Sequence, residues 1–384
     1  MRVLILGMDG YLGWPTAMAL SKEGHEVCGV DNYLRRNICR EQDVAPLFPT
    51  PNLHERVRLW EAVSGKKIGV YIGDLKEWTF ISRVFQEFQP DAVIHYAEQP
   101  SAPYSMLNRE TAMHTMNNNL TVTANVIFAV KEFCPEAHII KLGTMGEYGT
   151  PNIDIEEGWL DVEYKGRKEK FLYPRQGSSL YHTTKIMDTD MLWFYVRMWG
   201  LRVTDLMQGP VYGLFTEESE QDERLLPFFN YDELFGTVIN RFAVQAVVGY
   251  PLTVYGKGGQ TRGYINIKDT MNCVSLSVEN PAQKGELRIF NQITETFNVK
   301  ELADKVKGVG SQLGLEVQIK SIPNPRIEAE EHYYNPKFTG LVDLGLKPNY
   351  LTDEVLENML KAIIKHRKNI NKSKIYRGFE WHKK

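Results

Sequence analysis

The stretch that decides the fold is Met1–Gly13, with the sequence MRVLILGMDGYLG. It joins a buried strand pattern at Arg2–Leu6 to glycines at positions 7, 10 and 13, and a helix pattern follows. Glycines in that setting allow a tight turn, close approach of the backbone to a pyrophosphate, and close packing of helix on strand. The helix N-terminus then offers free amides and a partial positive charge to phosphates. The stretch therefore predicts a dinucleotide site.

Short apolar runs alternate with longer amphipathic stretches downstream, as in parallel βαβ units. The predicted strands are Arg2–Leu6, Glu26–Val30, Gly69–Ile72, Asp91–Tyr96, His138–Leu142 and Arg202–Leu206. The predicted helices are Pro15–Ser21, Phe80–Phe88, Asn118–Lys131, Leu180–Trp199, Val299–Leu313 and Asp353–His366. This order predicts the α/β class, with a Rossmann-type doubly wound parallel sheet and a smaller C-terminal α/β substrate domain.

The segments between these elements suggest a division of the chain. We expect residues 1–208 to form the cofactor-binding domain, with 237–273 returning to it, and 209–236 with 274–384 to bind the substrate. Asp154–Ser179 has the charged, irregular pattern of an excursion before the next helix. Thr216–Tyr231 is acidic and aromatic, and we expect it to be a loop over the active site.

Composition excludes several classes of function. The 384 residues carry 45 Lys+Arg against 48 Asp+Glu, a net charge of −3, and no basic stripe, which argues against a nucleic-acid partner. No apolar run is long enough to span a bilayer, and the start enters a buried strand directly, so we expect a cytoplasmic protein. The four cysteines form no Cys-x-x-Cys unit, and we expect no disulfide framework and no metal site.

Acidic and basic residues near the strand ends specify the cofactor. Asp31 ends the second strand, where its carboxylate can accept both ribose hydroxyls and would repel a 2′-phosphate, which favours NAD over NADP. Arg35 and Arg36 are expected at the adenosine or its phosphates, and Asp74 at adenine. The residues expected to contact NAD are Gly7, Asp9, Gly10, Tyr11, Leu12, Gly13, Asp31, Asn32, Tyr33, Arg35, Arg36, Asp74, Leu75, Tyr96, Asn118, Leu142, Tyr181, Lys185, Gln208 and Val211.

Tyr181 and Lys185 are four residues apart, so on a helix both side chains emerge from one face. A lysine ammonium beside a phenol favours the phenolate, and Tyr181 is therefore expected to accept a proton near neutral pH. Thr144 ends the strand His138–Leu142 and would present its hydroxyl at the carboxyl edge of the sheet. The order Thr144, Tyr181, Lys185 predicts oxidation of an alcohol.

These residues resemble the Thr/Tyr/Lys triad of extended short-chain dehydrogenases that act on nucleotide sugars. Four longer stretches sharpen the resemblance to the UDP-sulfoquinovose synthase family, essentially from end to end. They are Ser101–Met106 (SAPYSM), Lys141–Gly158 (KLGTMGEYGTPNIDIEEG), Leu252–Tyr264 (LTVYGKGGQTRGY) and Pro323–Tyr334 (PNPRIEAEEHYY).

The resemblance implies conversion of UDP-glucose and sulfite to UDP-sulfoquinovose, formally classed with hydrolases of carbon–sulfur bonds. C4 is oxidised by NAD, water is eliminated across C5 and C6, sulfite adds at C6, and C4 is reduced again. Thr144 would hydrogen-bond the sugar hydroxyl, and Lys185 would hold the nicotinamide ribose. A homodimer is expected through the helix Leu180–Trp199, and free sulfite and a sulfur-donor protein both fit as the source of sulfur.

A UDP-hexose 4-epimerase, a 4,6-dehydratase and a catalytically silent NAD sensor are the alternatives. Dehydratases of this superfamily carry Asp-Glu directly after the catalytic threonine, where this chain has Met145-Gly146. A different group must therefore serve C5 and C6. His182 is our first candidate, with Glu147 and Glu98 as others. A sensor would predict loss of Tyr181 or Lys185.

The resemblance also places the substrate. Plant members carry Arg where this chain has Pro100, so Arg175 or the helix N-terminus near Ser178 is the expected anchor for sulfite. Arg262 and Arg326 match arginines that pair with the diphosphate, Tyr255 would stack on uracil, and the acidic segment beside Arg326 would orient it. The residues expected to contact the substrate are Gln99, Ser101, Tyr104, Thr144, Met145, Gly146, Glu147, Tyr181, Gln208, Asn240, Arg241, Thr253, Tyr255, Gln260, Arg262, Arg326 and Glu328.

Overall fold

A computed structural model describes residues 1–325 and 332–379. The strands in these residues are β1 Arg2–Leu6, β2 Glu26–Asp31, β3 Ile68–Ile72, β4 Ala92–His95, β5 His138–Thr144, β6 Trp159–Tyr164, β7 Arg167–Leu172, β8 Arg202–Gln208, β9 Val211–Tyr212, β10 Leu252–Tyr255, β11 Thr261–Asn266, β12 Glu286–Gln292, β13 Glu295–Asn298 and β14 Ile319–Ile322. The α-helices are α1 Gly13–Lys22, α2 Leu34–Glu41, α3 Leu53–Ser64, α4 Trp78–Phe88, α5 Ala102–Ser105, α6 Arg109–Phe133, α7 Leu180–Trp199, α8 Val238–Val247, α9 Ile267–Glu279, α10 Val299–Gln312, α11 Gly340–Asp343 and α12 Asp353–His366.

Seven strands form the main sheet in the order β12-β8-β5-β4-β1-β2-β3. Every neighbouring pair is parallel, so the carboxyl ends of all seven strands lie along one edge. The strand order reverses between β1 and β4, which opens a crevice at that edge. The predicted α/β class with a Rossmann-type doubly wound sheet is confirmed.

Helices cover both faces of this sheet because its strands are apolar on both sides. On one face, Val84 of α4, Val126 of α6 and Leu192 of α7 join one buried cluster. On the other, Trp14 of α1 and Val274 of α9 belong to a second one. Two-sided burial explains why the strand sequences read as continuous apolar runs rather than alternating ones.

The long helices agree closely with their predicted ranges. Helix α7 begins after Ser179, whose hydroxyl accepts the His182 N–H, and ends at Gly200, which has a positive φ of 68°. The helix predicted from residue 118 begins earlier, because Asn108 and Thr111 form a capping box. No helix in residues 1–325 and 332–379 is long and apolar enough to cross a lipid bilayer.

The prediction that Asp154–Ser179 is irregular was wrong, because β6 and β7 form an antiparallel hairpin there. Lys165 and Gly166 both have positive φ at its turn, which matches the twist of the two strands. The hairpin is mostly exposed, so its strands lack the apolar alternation that marks a half-buried strand. Trp159 anchors it edge-to-face on Trp193 of α7, with ring centroids 5.0 Å apart.

Thr216–Tyr231 is not a loop over the cavity described below, so that prediction was also wrong. Its apolar residues are buried against the outer helices. The Leu225 carbonyl accepts the Trp14 indole N–H at 2.9 Å, and the Leu226 carbonyl accepts Arg56 Nη2 at 2.7 Å. Of this segment only Asn230 faces the cavity.

The C-terminal part has its own core around α8, α10 and α12, together with β10. Strand β12 lies inside the range 274–384 that we assign to substrate binding, yet it pairs with β8 over its whole length. The main sheet therefore also takes residues 286–292, and the predicted boundary was wrong there. The remaining division of the chain stays a prediction.

The chain end crosses back over the cofactor side of the molecule. Asn369 Nδ2 donates to the Leu47 carbonyl, and Arg377 donates to the side chain and carbonyl of Gln42. The Arg377 N–H donates to Glu233 Oε2 at 2.5 Å. This C-terminal strap, residues 369–379, thus joins the segment after α2 to the loop before α8.

The glycine turn gives a test of the fold. A Cβ at Gly13 would lie 2.2 Å from the Gly7 carbonyl oxygen, so Gly13→Ala must displace α1 from β1. We expect a loss of about 3 kcal/mol in the free energy of unfolding, measured by urea denaturation. Gly308→Ala in α10 is the matched control, since no atom lies within 4 Å of the new Cβ. It should hold or raise stability, and equal losses in both variants would contradict the account.

Candidate active site

A cavity of about 460 Å³ lies at the crevice of the main sheet. Its floor is the turn after β1, where Gly7 has φ of 87° and packs so closely that a Cβ would lie 2.9 Å from Ala97 N. The cavity wall continues into the first turn of α1 with Gly10, Tyr11, Leu12 and Gly13. The predicted cofactor residues Asn32, Asp74, Leu75, Tyr96, Asn118, Leu142, Gln208 and Val211 also line the cavity.

Asp31 is fixed at the end of β2 by two backbone donors. Asp9 N–H donates to its Oδ2 at 2.8 Å, and Tyr33 N–H donates to its Oδ1 at 2.6 Å. Burial, followed by the neighbouring charge of Asp9, raises the pKa of Asp31 to about 6. A fixed carboxylate that faces the cavity is suited to accept a ribose diol.

Four predicted cofactor contacts, Asp9, Tyr33, Arg36 and Lys185, do not line the cavity. Arg36 Nη2 donates to Asp9 Oδ1 at 2.7 Å and to the Pro51 carbonyl, so its guanidinium is fully used within the protein. The Tyr33 hydroxyl accepts the Leu53 N–H. Asp9, Tyr33 and Arg36 are absent from the cavity lining, whereas Arg35 is part of it. Two adjacent arginines on one helical turn point to different sides, which the sequence alone does not reveal.

Three of the four catalytic candidates, Thr144, Tyr181 and His182, line the cavity, and the fourth, Lys185, does not. Thr144 ends β5, and its hydroxyl accepts the Gly146 N–H at 3.2 Å. Tyr181 lines the cavity from the first turn of α7, and its N–H donates to Ser105 Oγ at 3.1 Å. Lys185 is one turn further along and is buried behind the wall. A shared alcohol site for Thr144 and Tyr181 fits this placement.

The expectation that Lys185 favours the Tyr181 phenolate was wrong for the protein alone. Lys185 Nζ donates to Glu98 Oε1 at 2.5 Å, so its charge is already balanced. Burial is the main cause that raises the pKa of Tyr181, and the Glu98 carboxylate raises it further. Both causes favour the protonated phenol in the protein without cofactor.

His182 lines the cavity beside Tyr181, and its Nδ1 lies 3.0 Å from Ser178 Oγ. A Cβ at Gly146 would lie 2.3 Å from His182 Nε2, so the imidazole occupies the space that any side chain at position 146 would need. The glycine in Met145-Gly146 therefore makes room for the histidine. Neither Met145 nor Gly146 lines the cavity, contrary to our prediction.

Glu147 is wholly buried and is not a substrate contact either. Its Oε1 accepts the Thr144 N–H at 3.1 Å and Lys141 Nζ at 3.4 Å, and Arg175 Nη1 lies 3.3 Å from its Oε2. Lys141 Nζ also donates to Asp205 Oδ2 at 3.1 Å. This buried ion cluster holds the end of β5 in place. Since Arg175 belongs to it, the structure gives no support to Arg175 as an anchor for sulfite.

The substrate end of the cavity gathers most of the other predicted residues. Arg241 Nη2 donates to Thr253 Oγ1 at 3.1 Å, and its guanidinium lies 5.8 Å from the centre of the Tyr255 ring. Asn240 Nδ2 donates to the Tyr11 hydroxyl at 3.1 Å, which ties this end to the glycine turn. Gln99, Ser101, Gln260 and Arg262 line the cavity as well, and Tyr104 does not. Arg326 and Glu328 lie outside the described residues.

One wall of the cavity was not predicted from the sequence: it consists of Glu233–Val238 together with Phe379 of the C-terminal strap. The Leu234 carbonyl accepts Ser101 Oγ at 2.5 Å, and Arg35 lies 5.0 Å from the centre of the Phe235 ring. This segment follows no strand of the main sheet. The rule that polar residues gather at strand ends therefore gave no signal for it.

Known proteins resemble this chain along its whole length. The model of the NAD dependent epimerase/dehydratase family matches residues 3–292. The chain is 49% identical over 382 residues to a chloroplastic UDP-sulfoquinovose synthase from Spinacia oleracea, covering 100% of this chain and 79% of the relative. It is 46% identical over 375 residues to a UDP-sulfoquinovose synthase from Sulfolobus acidocaldarius, covering 97% and 95%. A solved UDP-glucose 4-epimerase from Bifidobacterium longum, in complex with NAD+ and UDP, shares the fold at a TM-score of 0.73 and 19% identity, covering 96% and 99%.

The buried ion cluster predicts a large loss of stability from one isosteric change. Glu147→Gln removes the negative charge that faces Lys141 and Arg175, and we expect it to cost about 3 kcal/mol in the free energy of unfolding. Glu163→Gln, in the exposed pair with Lys168, is the matched control and should remain near wild-type stability. Urea denaturation of both variants checks this, and an unchanged Glu147→Gln protein would contradict the role given to the cluster.

Proposed function

The chain belongs to the NAD dependent epimerase/dehydratase family and, within it, to the UDP-sulfoquinovose synthases, and from this premise we propose that it converts UDP-glucose and sulfite to UDP-sulfoquinovose. The observation that carries the proposal is the identity of 49% and 46% to synthases along nearly the whole chain. The same identity supports a synthase over an epimerase or a 4,6-dehydratase. Thr144, Tyr181 and His182 at one end of a single cavity support catalysis over silent sensing.

The residues present fit NAD, the cofactor of this family. The turn at Gly7 leaves no room for a side chain, so the backbone can approach a diphosphate closely. Asp31 is fixed to accept ribose hydroxyls, and Arg35 faces the same space with a buried Nε that has no hydrogen-bond partner in the described residues. Bound NAD supplies the hydride acceptor and hydride donor at C4 of the sugar.

Oxidation at C4 requires a group that takes the hydroxyl proton. Tyr181 takes it as the phenolate and later returns it as the phenol, while Thr144 holds the same hydroxyl by a hydrogen bond. Since burial favours the phenol in the protein alone, the phenolate would form beside the positive charge of bound NAD+. The ketone that forms at C4 acidifies the hydrogen at C5. Water can then leave from C6 to give a conjugated enone, and sulfite adds to C6 of that enone.

His182 is our choice for the acid–base work at C5 and C6. It lines the cavity next to Tyr181, whereas Glu147, the other candidate after the catalytic threonine, is locked in the buried ion cluster. The imidazole can take the C5 proton and, as imidazolium, pass it to the hydroxyl that leaves C6 as water. Glu98 also lines the cavity, but its carboxylate is engaged by Lys185.

The nucleotide end fits a UDP group. Arg262 lines the cavity and donates to the Thr261 carbonyl at 2.8 Å, which holds its guanidinium in a fixed direction for a diphosphate. Tyr255 lies beside Arg241 and offers a face for uracil. The diphosphate role of Arg326 and the orienting role of Glu328 stay predictions. The cytoplasmic location and a sulfur-donor protein also stay predictions.

A homodimer is part of the proposal. Met187, Phe194 and Met198 are 44%, 48% and 61% exposed, and their spacing puts them on one face of α7. An exposed apolar stripe of this kind favours burial against a second copy. Helix α6 packs beside α7 and exposes Met113 at 37%.

Mass spectrometry of nucleotide sugars tests the reaction. Purified protein with NAD and UDP-glucose should give a sulfonated UDP-hexose only when sulfite is added. Tyr181→Phe should lower this rate at least about a hundredfold, because the phenolate of Tyr181 is the proton acceptor. Tyr164→Phe, in the exposed hairpin, is the control and should keep full activity. UDP-galactose or a free 4-keto-6-deoxy sugar as the main product would contradict the proposal.

Light scattering coupled to size exclusion tests the dimer. Phe194→Glu with Met198→Glu puts charge into the apolar stripe and should convert the dimer to a monomer. Ile153→Glu is the control, since Ile153 is also exposed, at 51%, but lies outside α7. A wild-type protein that runs as a monomer, or a double variant that stays dimeric, would contradict this interface.

A further inference from the structure

Glu98 forms the closest contact of the catalytic lysine. It follows β4, lines the cavity, and its Oε1 accepts Lys185 Nζ at 2.5 Å. The side chains of Glu98 and Lys185 are only 5% and 3% exposed. Water screens an ion pair of that burial weakly, so each charge acts strongly on its neighbours. Glu98 therefore fixes the position of the Lys185 ammonium and balances its charge.

Four other titratable groups face this ion pair. From β4, His95 Nε2 lies 3.7 Å from the Glu98 oxygen, and burial lowers the pKa of His95 well below its ordinary value, so the imidazole is neutral. From α7, Asp188 is wholly buried one turn beyond the lysine. Burial, followed by the Glu98 charge, raises its pKa well above the ordinary value, which favours the uncharged carboxyl. Lys141 of β5 and Glu147 after it belong to the buried ion cluster, where they balance each other.

The charge that neutralises Lys185 is thus that of Glu98. We propose that Glu98 is a positioning residue that acts through Lys185, holding the ammonium and offsetting its charge so that Tyr181 works in both directions, as proton acceptor and as proton donor. This inference rests on the proposed function, in which C4 is first oxidised and then reduced in one turnover. If the charge of Lys185 were not balanced, it would make the Tyr181 phenol strongly acidic. Tyr181 would then neither accept the proton in the first step nor keep it for the return step.

The direct test is the ionisation of Tyr181 in the full-length protein, with and without NAD. Phenolate absorbance is followed as pH is raised, and the signal of Tyr181 is the difference between each protein and its Tyr181→Phe counterpart. In the wild type without NAD this signal should stay absent over the pH range where circular dichroism reports a folded protein. Glu98→Gln should move its midpoint down by about one pH unit or more, into that range.

Two variants serve as controls for this titration. Glu132→Gln removes one surface carboxylate from α6 and should leave the midpoint where it is. Asp188→Asn replaces a protonated carboxyl by an amide of the same shape and should also leave it unchanged. If Glu98→Gln does not fold, the Asp188→Asn variant still tests the proposal. A lowered midpoint of the Tyr181 titration in Asp188→Asn would assign the balancing charge to Asp188 and overturn the proposal.

The remaining outcomes separate the proposal from its rivals. An unchanged midpoint of the Tyr181 titration in a folded Glu98→Gln protein overturns the proposal. If the only effect of Glu98→Gln is a weakened affinity for NAD, the proposal is also overturned, because Glu98 would then be a cofactor contact. In turnover, the acid limb of the kcat profile should move to lower pH in Glu98→Gln and return in Glu98→Asp. The titration needs no substrate, so it stands even if no sulfonated product forms and the proposed reaction fails.

Discussion

Between β1 and β4 the strand order of the parallel sheet reverses, and the connecting segments leave on opposite faces. The crevice at this point receives the ends of β1, β2, β4, β5 and β8 in one place. The glycine turn, Asp31, Glu98, Thr144 and Gln208 reach the cavity because each ends or follows one of these strands. Everything the site does depends on this convergence, and loss of the close packing at Gly7 and Gly13 would remove its floor.

Two sets of buried charges lie behind the cavity wall, and each has a separate role. The buried ion cluster of Lys141, Glu147 and Asp205 fixes the end of β5 and with it Thr144. The Glu98–Lys185 pair sets the electrostatic surroundings of Tyr181. In this chain Gly146 leaves space for His182, where the dehydratase pattern has a larger side chain. Under the proposed function, this departure moves the acid–base role at C5 and C6 to His182.

Much of the fold could be predicted because its signals are local. Strand β1 and helices α7 and α12 were predicted with their observed bounds, since buried strands are continuous apolar runs and Ser179 and Thr352 are N-caps. The hairpin β6–β7 was missed because exposed strands carry no apolar alternation. The edge strand β12 was missed for a related reason, since one of its sides is open and polar residues such as Arg288 interrupt its pattern.

The candidate site could likewise be predicted only in part. Asp31, Thr144 and Gln208 end strands of the main sheet and line the cavity as expected, because the topology brings these strand ends together. Their roles in binding and catalysis stay predictions. Side-chain direction was not predictable, so Arg36, Glu147 and Tyr104 were assigned to ligands although they pack within the protein. One wall of the cavity is formed by Glu233–Val238 and Phe379, which are far apart in the sequence. The Arg377 N–H joins the two segments by donating to Glu233, and no local sequence pattern predicts such a long-range contact.

The central claim is that oxidation and reduction at C4 occur within one cavity on one sugar molecule. It is tested most directly with UDP-glucose carrying deuterium at C4 and at C5, incubated with the protein, NAD and sulfite in ordinary water. The account predicts that the sulfonated product keeps the deuterium at C4, while C5 takes up hydrogen from the solvent. Loss of the label from C4, or an untouched C5, would contradict it.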